Sequence, residues 1–146
     1  GAICCMIKFQ LVSLDGIKFD EEAYEVTLPT ANGQIGVLPG HMPLVSVAKA
    51  GVILVRRRAV DHDDMRDVFA ISGGAIEVSE NTLKVLVDEA DASDDINVEE
   101  AKAALERANK LKADAKDQVS LAHAQELVDL TVVRLQVAGL KRRNRR

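Results

Sequence analysis

The side chains best suited to metal chemistry lie in one short segment near the middle of the chain. Carboxylates and an imidazole bind divalent cations, and this segment offers Asp61, His62, Asp63, Asp64 and Asp67. It lacks the spacing of an EF-hand calcium loop, which places a glycine at the sixth position and a glutamate at the twelfth. We therefore predict a solvated turn between two strands here, and no metal site.

A general base is the second possibility, and it rests on His41. An imidazole titrates near neutral pH, and His41 lies between Gly40 and Met42 in a segment rich in glycine and proline. No nucleophile is paired with it in the sequence, and the motifs of P-loop, dinucleotide-binding, serine-hydrolase and zinc-protease sites are absent. A contact or structural role for His41 is therefore favoured over catalysis, and we expect neither an active site nor a cofactor.

The charges divide the chain into two parts. Residues 1–96 carry 8 Lys/Arg against 16 Asp/Glu, whereas residues 97–146 carry 11 against 7 and end in the basic tail KRRNRR. An acidic first part repels nucleic acid, and an aromatic content of 3% leaves few rings for stacking on bases. We therefore predict no nucleic-acid partner. The tail is either a solvated terminus or a contact for an acidic protein surface.

The first part of the chain is predicted to consist of short strands. Apolar and polar residues alternate from Ile7, and Asp15-Gly16 and Glu80-Asn81 mark tight turns. All three prolines fall within residues 29–43, which we predict to be mainly loop. Strands of about five residues at regular spacing predict a sandwich or barrel. We expect an antiparallel β-sandwich of about ten strands over residues 6–92.

Helices follow over residues 96–146, where strong helix formers dominate and proline is absent. Asn97 is a suitable N-cap, and Glu100 is placed to return a hydrogen bond to its amide. A second apolar stripe begins near Ser120, so we predict a turn within residues 113–120, although one long helix remains open. The predicted stripe consists of Leu121, Ala124, Leu127, Val128, Leu135 and Ala138. The predicted fold class is α+β, with a β-sandwich followed by an α-helical hairpin.

The first residues and the hydropathy pattern bear on location. Cys4 and Cys5 are adjacent, so they neither cross-link distant segments nor have metal-site spacing. We interpret residues 1–5 as a leader or remnant outside the fold. No apolar run reaches the roughly 18 residues of a membrane span, and no signal peptide is recognisable. We expect a reducing, cytosolic compartment without direct membrane insertion.

Three strings resemble the epsilon subunit of bacterial and chloroplast F-type ATP synthases. They are GQIGVLPGHMPL at residues 33–44, ISGGAIEV at 71–78 and VDEA at 87–90, and the resemblance covers about residues 6–146. It implies a non-catalytic subunit of the central rotary stalk, beside the gamma subunit and the rotor (c) ring. Its place would be peripheral, on the cytoplasmic face of the bacterial membrane or the stromal face of the thylakoid. Gln34 and His41 would contact the ring.

The resemblance also implies a regulatory role for the helices, which would inhibit ATP hydrolysis when extended towards the catalytic alpha/beta ring. We nominate as inhibitory contacts the basic residues late in the second helix: Arg134, Lys141, Arg142 and Arg143. Some relatives bind ATP through a motif of Ile or Leu, Asp, two variable residues, Arg and Ala. Here Asn97, Glu100 and Leu130 depart from the relatives' nucleotide contacts. We therefore predict weak or absent ATP binding.

Two other classes of function remain open on the residues alone. One is a stand-alone β-sandwich that binds an acidic partner through its basic helical tail. The other is a metal-assisted hydrolase that uses His41 or residues 61–67. Copurification with a membrane ATPase and metal analysis of the purified chain would separate these from a stalk subunit.

Overall fold

The described part of the chain contains ten strands and two α-helices. The computed structural model describes residues 6–62 and 65–144, with side chains as far as residue 140. The strands are β1 (Ile7–Ser13), β2 (Gly16–Ala23), β3 (Glu25–Thr30), β4 (Gly33–Val37), β5 (Leu44–Ala48), β6 (Gly51–Arg56), β7 (Asp67–Ile71), β8 (Gly74–Ser79), β9 (Thr82–Val87) and β10 (Ala90–Ala92). A 3-10 turn over Ser93–Asp95 leads to α1 (Val98–Asp114) and α2 (Gln118–Asn144). The predicted order of strands followed by a helical hairpin is confirmed.

The strands form one nearly closed sheet. Their order is β10-β7-β6-β3-β5-β8-β9-β1-β2, and β4 pairs with β3 beside this path. β1 and β9 run parallel, whereas the other pairs are antiparallel. The predicted antiparallel β-sandwich of about ten strands is confirmed, and it contains one parallel pair because the β8–β9 hairpin brings β9 beside β1 in the same direction.

Alternation along the strands builds the core. In β1, Ile7, Phe9 and Leu11 point inward and are fully buried. The Phe19 ring lies 5.3 Å from that of Phe9 and meets the Phe69 ring edge-on, with centroids 5.8 Å apart. Aromatic pairs at these separations add to the stabilisation from apolar burial.

Two strands lie where the sequence did not predict them. β4 occupies part of the segment predicted as loop, and it pairs with β3 from Val26–Val37 to Thr30–Gly33. Thr30 closes this hairpin, because its hydroxyl donates to the Gly33 carbonyl at 2.6 Å and accepts from the Asn32 amide at 3.2 Å. The three-residue β10 was also missed, since it is too short to show a repeating pattern.

The segment at residues 61–67 differs from the predicted solvated turn at its first residue. The Asp61 side chain is only 7% exposed. Its carboxylate accepts from the Arg58 amide at 3.2 Å, and the Arg56 guanidinium donates to the Asp61 carbonyl. The Arg58 amide compensates for the burial of the Asp61 carboxylate, and the Arg56 guanidinium satisfies the Asp61 main-chain carbonyl. Asp63 and Asp64 lie outside the described residues. Among the described residues, no cluster of three or more His, Cys, Asp or Glu side chains is arranged to hold a metal ion.

Side chains cap both helices. Asn97 is the N-cap of α1, as predicted, and its side chain accepts from the Glu100 amide at 3.0 Å. The Glu100 carboxylate accepts from Arg107 at 3.2 Å. Asp117 accepts from the Ser120 amide at 2.7 Å at the start of α2. The chain therefore turns within the predicted interval, and the alternative of one long helix is wrong.

Candidate functional site

A rigid turn shapes the loop between β4 and β5. Pro39 and Gly40 occupy its central positions, Gly40 has a φ of +82°, and the His41 amide donates to the Leu38 carbonyl at 3.1 Å. This is a type II turn, in which proline fixes the first central residue and glycine accepts the positive φ of the second. Proline and the hydrogen bond of the turn therefore restrict the backbone conformation of this loop.

The two residues nominated for ring contact lie on the β4–β5 segment, which means β4 and the loop that follows it. Gln34 is exposed on β4, and His41 is half-buried just after the turn. The His41 Nδ1 lies 2.7 Å from the Met42 carbonyl oxygen. Because a carbonyl only accepts, Nδ1 carries the proton in this hydrogen bond, and Nε2 is left as the second polar atom of the ring.

An apolar row crosses the outer face of the sheet. Paired residues of β5, β8, β9, β1 and β2 lie side by side in it: Val47, Ala75, Leu86, Val12 and Ile17. Val47 and Ile17 are each 65% exposed, and Leu86 is 48% exposed. Five strands span about 19 Å at their usual spacing. A row of largely exposed apolar side chains is a candidate interaction surface. The sequence reasoning missed it because no one strand contains the row.

The helix pair is docked on the β domain, which here means residues 6–95. Val133 and Val137 of α2 pack against Val68 and Ala70 of β7. The predicted apolar stripe of α2 omitted both valines and included Leu121, which is exposed. α2 contacts both α1 and the β domain, so a stripe suited to one helical partner does not describe all of its apolar residues.

Arg134 joins α2 to the β domain. Its Nε donates to Asp91 at 2.8 Å and its Nη2 donates to Glu89 at 3.2 Å. This places one nominated inhibitory residue in an internal ion pair. The side chains of Lys141, Arg142 and Arg143 lie outside the described part of the chain.

The positions of the nucleotide motif have other partners in this fold. The Asn97 side chain caps α1, Glu100 pairs with Arg107, and Leu130 is buried. Leu130 lines a cavity of about 720 Å³ together with the carboxylates of Asp88 and Asp129. Negative charge beside this cavity disfavours a phosphate chain.

Comparison with known proteins decides the family. Residues 6–93 match the family model of the beta-sandwich domain of the ATP synthase Delta/Epsilon chain. The ATP synthase epsilon chain of Geobacter sp. strain M21 is 36% identical over 134 residues, which cover 91% of this chain and 94% of the relative. The chain belongs to the ATP synthase epsilon chain family. The epsilon chain of Synechococcus elongatus is likewise 36% identical, over 89% of this chain and 93% of its own length.

Solved structures agree with this family membership. A chain in the cryo-EM structure of the Euglena gracilis mitochondrial ATP synthase, comprising OSCP, F1 and c-ring, superposes with a TM-score of 0.75 at 25% identity. The match covers 96% of this chain and 84% of that chain. A chain of the Tetrahymena thermophila central stalk and c-ring shares the fold, with a TM-score of 0.58 at 13% identity. None of the described helices combines the length and apolarity needed to cross a membrane.

Proposed function

We propose that this chain is a non-catalytic subunit of the ATP synthase central stalk. It turns with the gamma subunit and the rotor ring, couples proton-driven rotation to ATP synthesis, and inhibits ATP hydrolysis through α1 and α2. Family membership and a structural neighbour in an ATP synthase complex of OSCP, F1 and c-ring support this role. The chain attaches through protein contacts at the cytoplasmic face of the bacterial membrane, or at the stromal face in a plastid.

The apolar row is the observation that carries the proposal. A neighbouring rotor subunit that covers Val47, Leu86 and Ile17 removes their side chains from water, and each such burial contributes to affinity. We assign this face to gamma. The charged row beside it, with Glu77, Lys84 and Asp20, supplies a polar rim.

The β4–β5 segment is assigned to the rotor ring. Gln34 and His41 offer hydrogen-bonding groups on a backbone held by its turn, which suits contact with polar loops. A loop that transmits torque must resist deformation, and the fixed φ of Pro39 reduces its conformational freedom.

The helices are assigned to inhibition of hydrolysis. Residues 97–146 carry a net formal charge of +4. This charge favours contact with an acidic surface of the alpha/beta ring when the helices leave the β domain. Arg134, Lys141, Arg142 and Arg143 are the proposed contacts. Arg134 must first leave Asp91 and Glu89.

Reconstitution tests this proposal. A catalytic complex that lacks epsilon is combined with the full chain or with a version ending at Asp95, and binding and ATP hydrolysis are measured. We expect both versions to bind and only the full chain to inhibit. Equal hydrolysis rates despite binding would remove the inhibitory role, and failure of both to bind would overturn the stalk assignment.

Substitutions in the apolar row test the gamma assignment. We expect V47D/L86D to weaken binding to gamma at least tenfold while the thermal unfolding midpoint stays within a few degrees, because both side chains point to solvent. V60D is the matched control, since Val60 is exposed but lies outside the row. Equal affinity of V47D/L86D and V60D would place gamma elsewhere.

A further inference from the structure

The contact between α2 and the β domain combines an apolar patch with an ion-pair group at its rim. Val137 is fully buried against Val68 and Ala70. Ala70 pairs with Asp91 in the β7–β10 ladder, so the carboxylate that binds Arg134 lies directly beside the patch. The Arg134 side chain is 28% exposed, so its charge is partly shielded from water.

Acidic residues of both α2 and the β domain line the adjoining cavity. Glu126 and Asp129 enter its lining from α2, whereas Asp15, Asp88 and Glu89 enter it from turns of the β domain. Like charges brought towards each other oppose docking of α2, and water within the cavity weakens but does not remove this repulsion. Arg134 binds Glu89, which is one of these carboxylates.

We propose that Arg134, Glu89 and Asp91 form an electrostatic latch that keeps α2 docked against the repulsion between the carboxylates of α2 and those of the β domain. The apolar patch stabilises docking regardless of charge. The ion pairs of Arg134 make docking depend in addition on one guanidinium group. Because that guanidinium is also a proposed inhibitory contact, docking and inhibition compete for the same side chain. This last step rests on the proposed function, whereas the latch itself does not.

The reactivity of a buried thiol measures how often α2 leaves the β domain. V137C in a C4S/C5S chain carries its single thiol under the apolar patch, so a thiol reagent reacts when α2 undocks, and the labelling rate is proportional to the undocked population. Adding R134Q should raise this rate about three- to tenfold, the range for loss of two partly exposed ion pairs. Adding E126Q/D129N should lower it, because the repulsion is reduced.

Two controls separate undocking from other causes. R107Q removes the exposed ion pair between Arg107 and Glu100 on α1, and it should leave the V137C rate unchanged. V85C in the C4S/C5S chain places the thiol in the β core, and its slower rate reports global unfolding. The latch proposal is overturned if R134Q raises the labelling rate of V137C no more than R107Q does. It is also overturned if R134Q raises the labelling rate of V85C as much as that of V137C, or if E126Q/D129N raises the labelling rate of V137C. These experiments use the isolated full chain, without the other subunits. A negative result here would overturn the latch but not the proposed function, and a negative reconstitution result would overturn the proposed function but not the latch.

Discussion

Asn81 fastens the β4–β5 loop to the β8–β9 turn. Its side-chain oxygen accepts from the Gly40 amide at 2.8 Å, across 41 positions of sequence. Asn81 has a φ of +60°, and its own carbonyl accepts from the Lys8 amide at 2.9 Å. One asparagine therefore joins the proposed ring-contact loop to the strands that carry the apolar row.

Removing this side chain should loosen the loop without disturbing the turn. Glycine accepts the φ of Asn81, so N81G isolates the lost hydrogen bond, and we expect a fall of about 1 kcal/mol in the free energy of unfolding. Hydrogen exchange at the Gly40 amide should accelerate. N81D keeps an acceptor and should preserve protection, so equal exchange in N81G and the unsubstituted chain would show that the bond does not hold the loop.

Gly74 should tolerate no side chain. A Cβ built at this position would lie 2.0 Å from the Leu86 carbonyl oxygen and 2.9 Å from its carbonyl carbon. Both atoms belong to the backbone of β9, which cannot withdraw without breaking the β8–β9 ladder. We expect G74A to lower the free energy of unfolding by about 3 kcal/mol in urea titration.

Gly36 provides the control for Gly74. A Cβ at Gly36 would meet no heavy atom within 4 Å, so G36A should change the free energy of unfolding by no more than about 0.5 kcal/mol. Similar losses in both variants would mean that backbone conformation, and not contact with Leu86, makes glycine necessary at position 74.

Local signals predicted most of the fold, because turns and caps depend on adjacent residues. Asp15-Gly16 and Glu80-Asn81 mark the turns that the structure contains, and Asn97 caps α1. The docking of α2 depends on surfaces distant in sequence, which a single helical stripe does not reveal. For the same reason the partners of Arg134 could not be predicted, since Glu89 and Asp91 precede it by more than forty residues.

The start of α2 should depend on acid. The Ser120 amide and then the Ser120 hydroxyl donate to the Asp117 carboxylate, and they lower its pKa below the ordinary value of 3.8. A lowered pKa means that the ionised carboxylate stabilises the helix start above pH 3.8. That contribution is lost as the pH falls below this value through the pKa of the folded chain.

Nuclear magnetic resonance can follow this loss at the Ser120 amide. Its chemical shift should titrate with a midpoint below 3.8, as the hydrogen bond from Ser120 to Asp117 weakens. In D117N the side chain still caps the helix but does not ionise, so the titration should disappear. A titration that persists unchanged in D117N would assign the acid dependence to another carboxylate.

ATP should bind this chain weakly or not at all, because the residues at the nucleotide-contact positions do not attract phosphate. Arg134 is engaged by Glu89 and Asp91, Leu130 offers no charge, and Glu100 repels phosphate. Calorimetric titration of the full chain should therefore detect no binding at micromolar ATP. E100R reverses the charge at an exposed position of the motif, so it should bind ATP more tightly than the unsubstituted chain. Micromolar affinity in the unsubstituted chain would contradict this account, because it would require Arg134 to exchange its carboxylates for phosphate without loss.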